Sequence, residues 1–207
     1  MALTKVSYSM ITGAPAATID YGSFGTPADR TTALTAALAA SDVVFVNSGI
    51  YDPITISASG KTLIMDADVE FRLPDNTVGS GAVTGPAVFH ISGDNVTVYN
   101  DFTVNGNRAN NSSFSFPTAV RIASCYVTGD NAKFNGEVYV KDAYWVGFTA
   151  EGGSTSGTEI SGLYVQRLKI EQADYQSVML WSVTDWRVDQ IVATGGTPPY
   201  TFNWYDP

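Results

Sequence analysis

Two glutamates are the first residues with chemical potential. Glu151 closes the segment VGFTAE and Glu171 sits in LKIEQ. Aligning Ala150 with Ile170 places the two carboxylates at equivalent positions of successive turns of a repeating chain, roughly 5 Å apart at the spacing of paired strands. That separation is close to the carboxylate pair of a retaining glycosidase, and like charges so near one another raise one pKa. The bland alternative is a solvated corner with two mobile side chains. Asp174, Asp185 and Asp189 are further carboxylates in the same region. Aromatic residues gather there too: Tyr144, Trp145, Tyr175, Trp181 and Trp186. A flat apolar face with a polar edge suits a sugar ring, so Trp145, Trp181 and Trp186 are candidate glycan platforms; the alternatives are interior packing or a subunit interface. Trp181 and Trp186 fall at turns and are expected outside. The single histidine, His90, lies in Phe89-His90-Ile91 and reads as a strand residue rather than a general base. Cys125 has no partner cysteine and reads as a small buried hydrophobe. No metal-ligand cluster is visible, and the glycine-rich loops lack the lysine and helix of a phosphate cradle, so neither metal nor cofactor is expected.

Such residues need elements to hold them, and the sequence repeats a short one. The stretch Gly93–Gly106, GDNVTVYNDFTVNG, opens on a polar turn and carries two short alternating strands separated by Asn100-Asp101. A second Gly-Asp-Asn turn stands at Gly129-Asp130-Asn131. Asn and Gly tolerate the conformations that sharp corners need. In the last third, Val165, Leu168 and Ile170 match Val188, Ile191 and Ala193 at an offset of 23 residues. Short strands, polar corners and a repeat of this length predict an all-β chain: a right-handed parallel β-helix, or solenoid, over residues 43–207. The closing segment TGGTPPYTFNWYDP has no capping pattern, so truncation of the solenoid at that end is expected.

Upstream, Thr26 is a good N-cap, Pro27 suits the first helical position, and Asp29 lies in the first turn. Ala33, Leu34, Ala37 and Leu38 share one face, which predicts a capping helix near Pro27–Ala40 within an entry segment spanning 21–42. Residues 1–20 are polar and weakly patterned, with Val6, Tyr8, Met10 and Ile11 able to add a strand to a partner. They read as an arm docked onto another protein. The chain has 207 residues, 15% charged, with a net charge of −9. No window is rich in lysine or arginine, which argues against nucleic-acid binding. No apolar run approaches the ~20 residues that span a bilayer. The first residues lack the apolar core of a secretory signal, so synthesis in a cytoplasm without processing is expected.

The runs Asp20-Tyr21-Gly22, Gly49-Ile50-Tyr51 and Ser59-Gly60-Lys61-Thr62-Leu63 resemble the entry segment of the pectate-lyase-like right-handed β-helix superfamily. The opening TKVSYSMITGAP is similar to the short N-terminal segment of bacteriophage tailspikes and tail fibres that carry that fold. The resemblance implies a virion protein that is made in the host cytoplasm. It implies a homotrimer, held to tail adaptor or nozzle proteins through residues 1–20, that recognises a bacterial surface polysaccharide. The alternative it leaves open is a polysaccharide depolymerase, a glycosidase or lyase, acting on capsule or lipopolysaccharide. No pectate-lyase catalytic motif is recognisable, so the resemblance implies fold and virion context more strongly than a reaction.

Overall fold

The computed structural model describes residues 26–75, 87–111, 123–143, 146–153, 157–173, 176–195 and 202–205. The proposed arm, with Val6, Tyr8, Met10 and Ile11, lies outside the described residues. So do Tyr144, Trp145, Asp174 and Tyr175.

The chain enters through one helix, α1 (Pro27–Ala40). The Thr26 hydroxyl accepts from the Asp29 backbone N–H at 3.2 Å, satisfying a donor that the first turn leaves free. Leu34, Ala37 and Leu38 are buried on one side. One turn earlier on the same side, the helix is tied to the sheet: Arg30 Nη1 donates to the Ile50 carbonyl and Thr31 Oγ1 to the Asp52 carbonyl, both at 3.1 Å.

Strands follow in threes. The first set is β1 (Val43–Val46), β2 (Gly49–Tyr51) and β3 (Ile54–Ile56); the second is β4 (Thr62–Met65), β5 (Val69–Arg72) and β6 (Ala87–Ile91). Next come β7 (Thr97–Tyr99), β8 (Phe102–Asn105) and β9 (Ala123–Val127), then β10 (Lys133–Ala143), β11 (Val146–Glu151) and β12 (Ile160–Ser161). The last are β13 (Tyr164–Ala173), β14 (Gln176–Trp181), β15 (Val183–Thr184), β16 (Arg187–Thr194) and β17 (Phe202–Tyr205). Every pairing between them is parallel, so each strand bonds to one that returns from a later stretch of chain. The nine-stranded sheet joins two rows, β1-β4-β7 and β2-β5-β8, through the long β10, which also pairs with β13 and through it reaches β16. A six-stranded sheet runs β3-β6-β9-β11-β14-β17, and β12 pairs with β15.

The expected all-β, right-handed parallel β-helix is corrected by this arrangement. The structure is mixed α/β: curled parallel sheets with a helix built into their core, since Leu34, Ala37 and Leu38 belong to the same hydrophobic cluster as the strands. Nor does one 23-residue period run through it. The register partners Val43, Thr62, Thr97, Lys133, Tyr164 and Arg187 are separated by 19, 35, 36, 31 and 23 residues, so the offset seen in the sequence belongs to the last step alone. The physical reason is that connections of unequal length lie between strands of conserved register, and the two rows of the larger sheet fuse where β10 is long enough to span both.

Between the sheets lies a file of aromatic rings. Tyr51 and Phe71 are 5.4 Å apart by ring centroid, Phe71 and Phe89 4.8 Å, Phe89 and Phe102 4.9 Å, Phe102 and Phe134 6.3 Å, and Phe134 and Phe148 6.0 Å. These are favourable separations for tilted or offset rings.

The polar corners stack as a column. Gly60, Asn95, Asn131, Gly162 and Asp185 all adopt left-handed backbone, with φ of 74°, 57°, 54°, 73° and 49°. The first four each hand a backbone N–H to the next layer: Gly60 to the Asp94 carbonyl at 2.8 Å, Asn95 to Asp130 and Asn131 to Ser161 at 2.7 Å, Gly162 to Thr184 at 3.3 Å. Side chains repeat the link, as Asp130 N–H donates to Asp94 Oδ1 at 3.0 Å and Ser161 N–H to Asp130 Oδ1 at 2.7 Å.

Candidate functional site

The two glutamates do not meet. Lys141 registers with Glu171, and Glu151 registers with Trp181, so equivalent positions in this part of the chain lie 30 residues apart rather than 20. Ala150 pairs with Val127 and Leu180, and Ile170 with Val140 and Ala193. The alignment of Ala150 with Ile170 is thereby corrected: Glu151 stands in the six-stranded sheet and Glu171 in the nine-stranded one. A turn of chain here contains strands of both sheets, and a 20-residue offset crosses from one to the other.

Glu171 belongs to an ionic ladder on the outer face of the nine-stranded sheet. It accepts a short hydrogen bond from the Tyr139 hydroxyl and pairs with Lys169 Nζ at 2.9 Å. Lys169 Nζ also lies 4.0 Å from the Tyr139 ring centroid. The Tyr139 hydrogen bond first, and Lys169 second, hold the Glu171 carboxyl below its ordinary range. Burial and the bond to Glu171 push the Tyr139 phenol up to about 12. One row across, Lys141 Nζ pairs with Glu70 Oε2 at 2.9 Å, and Asn105 Nδ2 donates to Glu70 Oε1 at 2.9 Å. The lowered pKa keeps the Glu171 carboxyl ionised, which suits an anionic partner in a network and not a proton donor.

Glu151 has different company. Its neighbour in register is Trp181, which is 39% exposed, one of two large hydrophobic side chains so placed among the described residues. The Tyr126 hydroxyl donates to Glu151 Oε2 at 2.8 Å, and burial together with this bond raises the Tyr126 phenol well above its ordinary value. Tyr126 registers with His90, and the two rings stack with centroids 4.9 Å apart and planes 18° from parallel. His90 Nε2 lies 3.0 Å from Thr128 Oγ1. Alternation along β6, β9, β11 and β14 puts His90, Tyr126, Glu151 and Trp181 on one face, because Phe89, Cys125, Phe148 and Val178 between them are core residues. The result is a strip across four strands with an exposed indole and a carboxylate at one end and a buried aromatic pair at the other.

Trp186 is half-buried and packs against the core, unlike its expected outside position. Asp185 occupies the turn column, and Asp189 accepts from Tyr164 at 2.9 Å and from Arg187 Nε at 2.6 Å, so both have structural work. Cys125 is fully buried, as its sequence context predicts. Tyr126 was not among the sequence candidates; its only signal was an alternating position two residues before Thr128 in a short strand, which many strand tyrosines share. Among the described residues no group of three or more His, Cys, Asp or Glu side chains could hold a metal ion, and no helix is long and apolar enough to cross a membrane. No protein-family model, curated protein or solved structure matches the chain.

Proposed function

We propose that this chain is a bacteriophage tail fibre or tailspike protein that recognises a bacterial surface polysaccharide. The observation that carries the recognition half is the Trp181–Glu151 pair: an exposed indole beside a carboxylate in register on adjacent parallel strands, backed by Tyr126. An indole face stacks on the C–H face of a pyranose while a carboxylate accepts from its hydroxyls. The resemblance of residues 4–75 to the entry segment of tailspikes supports the virion context, with attachment to tail proteins through residues 1–20 and assembly as a homotrimer. Cleavage through a Glu151–Glu171 pair is not part of this reading, because the two carboxylates stand in separate sheets with separate partners.

The test is binding of purified capsular polysaccharide or lipopolysaccharide from a host strain. Trp181→Ala is expected to weaken retention about tenfold, the loss of one stacking face. Antibody to the chain should decorate phage tails in electron micrographs. Unchanged binding by Trp181→Ala would remove the strip from the account, and particles that carry no label would remove the virion.

A further inference from the structure

The strand glutamates differ in one respect, whether a cation answers them. On the nine-stranded sheet, Glu70 is paired with Lys141 at 2.9 Å, Glu137 with Arg167 at 2.8 Å and Glu171 with Lys169 at 2.9 Å. Glu151, on the six-stranded sheet, has no basic partner among the described residues. Its hydrogen-bond partner there is the neutral Tyr126 hydroxyl, which donates to Oε2. Oε1 is not one of the buried polar atoms that lack a partner, so it opens to solvent. The chain beyond Glu151 supplies no cation either. It folds back so closely that a Cβ on Gly152 would lie 2.8 Å from the Glu159 Cα. Glu159 is a second carboxylate, accepting from the Gly157 N–H at 2.7 Å.

The neighbour in register is Trp181, 39% exposed. Adjacent strands stand ~4.8 Å apart, so one pyranose ring and its substituents can touch both side chains. An indole face attracts the C–H face of a sugar and, through its π electrons, a positive charge. A carboxylate one strand away attracts the same charge through a charge-assisted hydrogen bond. Both groups therefore favour the same kind of substituent, and the carboxylates repel a phosphate, sulfate or acid. Tyr126 fixes one oxygen of Glu151 and leaves the other for the ligand. An acetamido group in place of an ammonium is neutral and loses both attractions.

We propose that the Trp181–Glu151 pair reads an ammonium substituent on the stacked sugar, so that the preferred unit is an unacetylated amino sugar. This rests on the polysaccharide reading and narrows it from any surface glycan to a cationic one. Specificity here is a difference of affinities between two sugars of the same ring shape, set by the charge that Glu151 leaves unanswered.

The test is calorimetric titration of the full chain at pH 6, where a sugar amine is protonated, with three probes: a β-1,4-linked D-glucosamine tetramer, its fully N-acetylated counterpart, and trilysine. The amino tetramer is expected to bind about tenfold more tightly than the acetylated one, and the preference to shrink as salt is raised. The net charge of −9 draws any polycation, so the decisive comparison is Glu151→Gln, which alters that charge by one and keeps an oxygen for the Tyr126 hydroxyl. It should bring the two affinities to within about twofold of each other, whereas Trp181→Ala should weaken both. Circular dichroism checks that the variants fold. Equal or tighter binding of the acetylated tetramer overturns the proposal, as does binding of neither tetramer or a preference that Glu151→Gln leaves intact. Trilysine bound as tightly as the amino tetramer also overturns it, by giving the surface to a basic protein. If host polysaccharide is still retained through Trp181 in any of these cases, the ammonium preference falls and the broader reading stands; if retention is absent as well, both fall.

Discussion

At the scale of single residues, His90 gives the chain a pH dependence with a definite sign. Burial lowers its pKa from 6.5, and the groups that face it, the Tyr126 ring and the Thr128 hydroxyl, carry no charge to offset that. The unfolded chain therefore takes up a proton below about pH 6.5 that the folded chain resists, and stability must fall as pH falls through that range. Above it the contribution is fully present. Urea denaturation at pH 7, 6 and 5 should show a declining midpoint, and His90→Gln should flatten the decline, since glutamine does not titrate. An equal decline in the variant would place the effect in the carboxylates instead. Glu171 works at lower pH in the same sense: the Tyr139 bond depresses its pKa, so its contribution is present above the ordinary carboxylate value and lost as acid protonates it.

The element that most constrains the fold is the column of turns. Gly129 and Gly60 both stand in it, yet they are glycines for different reasons. A Cβ on Gly129 would lie 2.2 Å from the Gly93 carbonyl oxygen, a main-chain atom that the stacked turn holds in place. A Cβ on Gly60 would meet nothing within 4 Å, and only its φ of +74° resists a side chain. Gly60→Ala should cost about 1 kcal/mol, the usual penalty for left-handed backbone in an L-residue. Gly129→Ala forces turns apart and should cost more, on the order of 1–3 kcal/mol above that. Thermal or denaturant unfolding of the two variants tests the ordering; equal costs would mean that adjacent turns slide past one another freely.

For the molecule as a whole, the two ends of the stack differ. At the first end, α1 covers the strands and buries Leu34 completely. At the other, β16 pairs among the described residues with β13 alone, and Ile191 is 40% exposed although its register partner Leu168 is fully buried. Val138, Leu168 and Ile191 occupy one column of equivalent positions. The same truncation along that column should therefore have unequal effects: Leu168→Ala should cost about 2–5 kcal/mol, and Ile191→Ala under about 1 kcal/mol. Equal losses would show that β16 is covered in solution.

Much of this was legible in the chain itself. The helix from Pro27 to Ala40 follows from Thr26, Pro27 and the Leu34/Ala37/Leu38 face, all local signals. The Gly-Asp-Asn corners are legible because few residues tolerate left-handed backbone, and the register of β13 with β16 was visible as the offset between Val165 and Val188. All three depend on backbone preferences or alternation within a few residues. The overall class was not legible, because an alternating pattern reports which side chains point inward and is silent on how unequal connections merge two rows into one sheet around a helix. The site was missed for the same reason. Glu151 and Trp181 were both singled out in sequence, but their adjacency depends on a 30-residue step between strands, which the intervening turns set. Only the tertiary structure decides that Glu151 stands beside Trp181 and over Tyr126, and that Glu171 stands apart, because register between distant strands is fixed by packing of the core between the sheets.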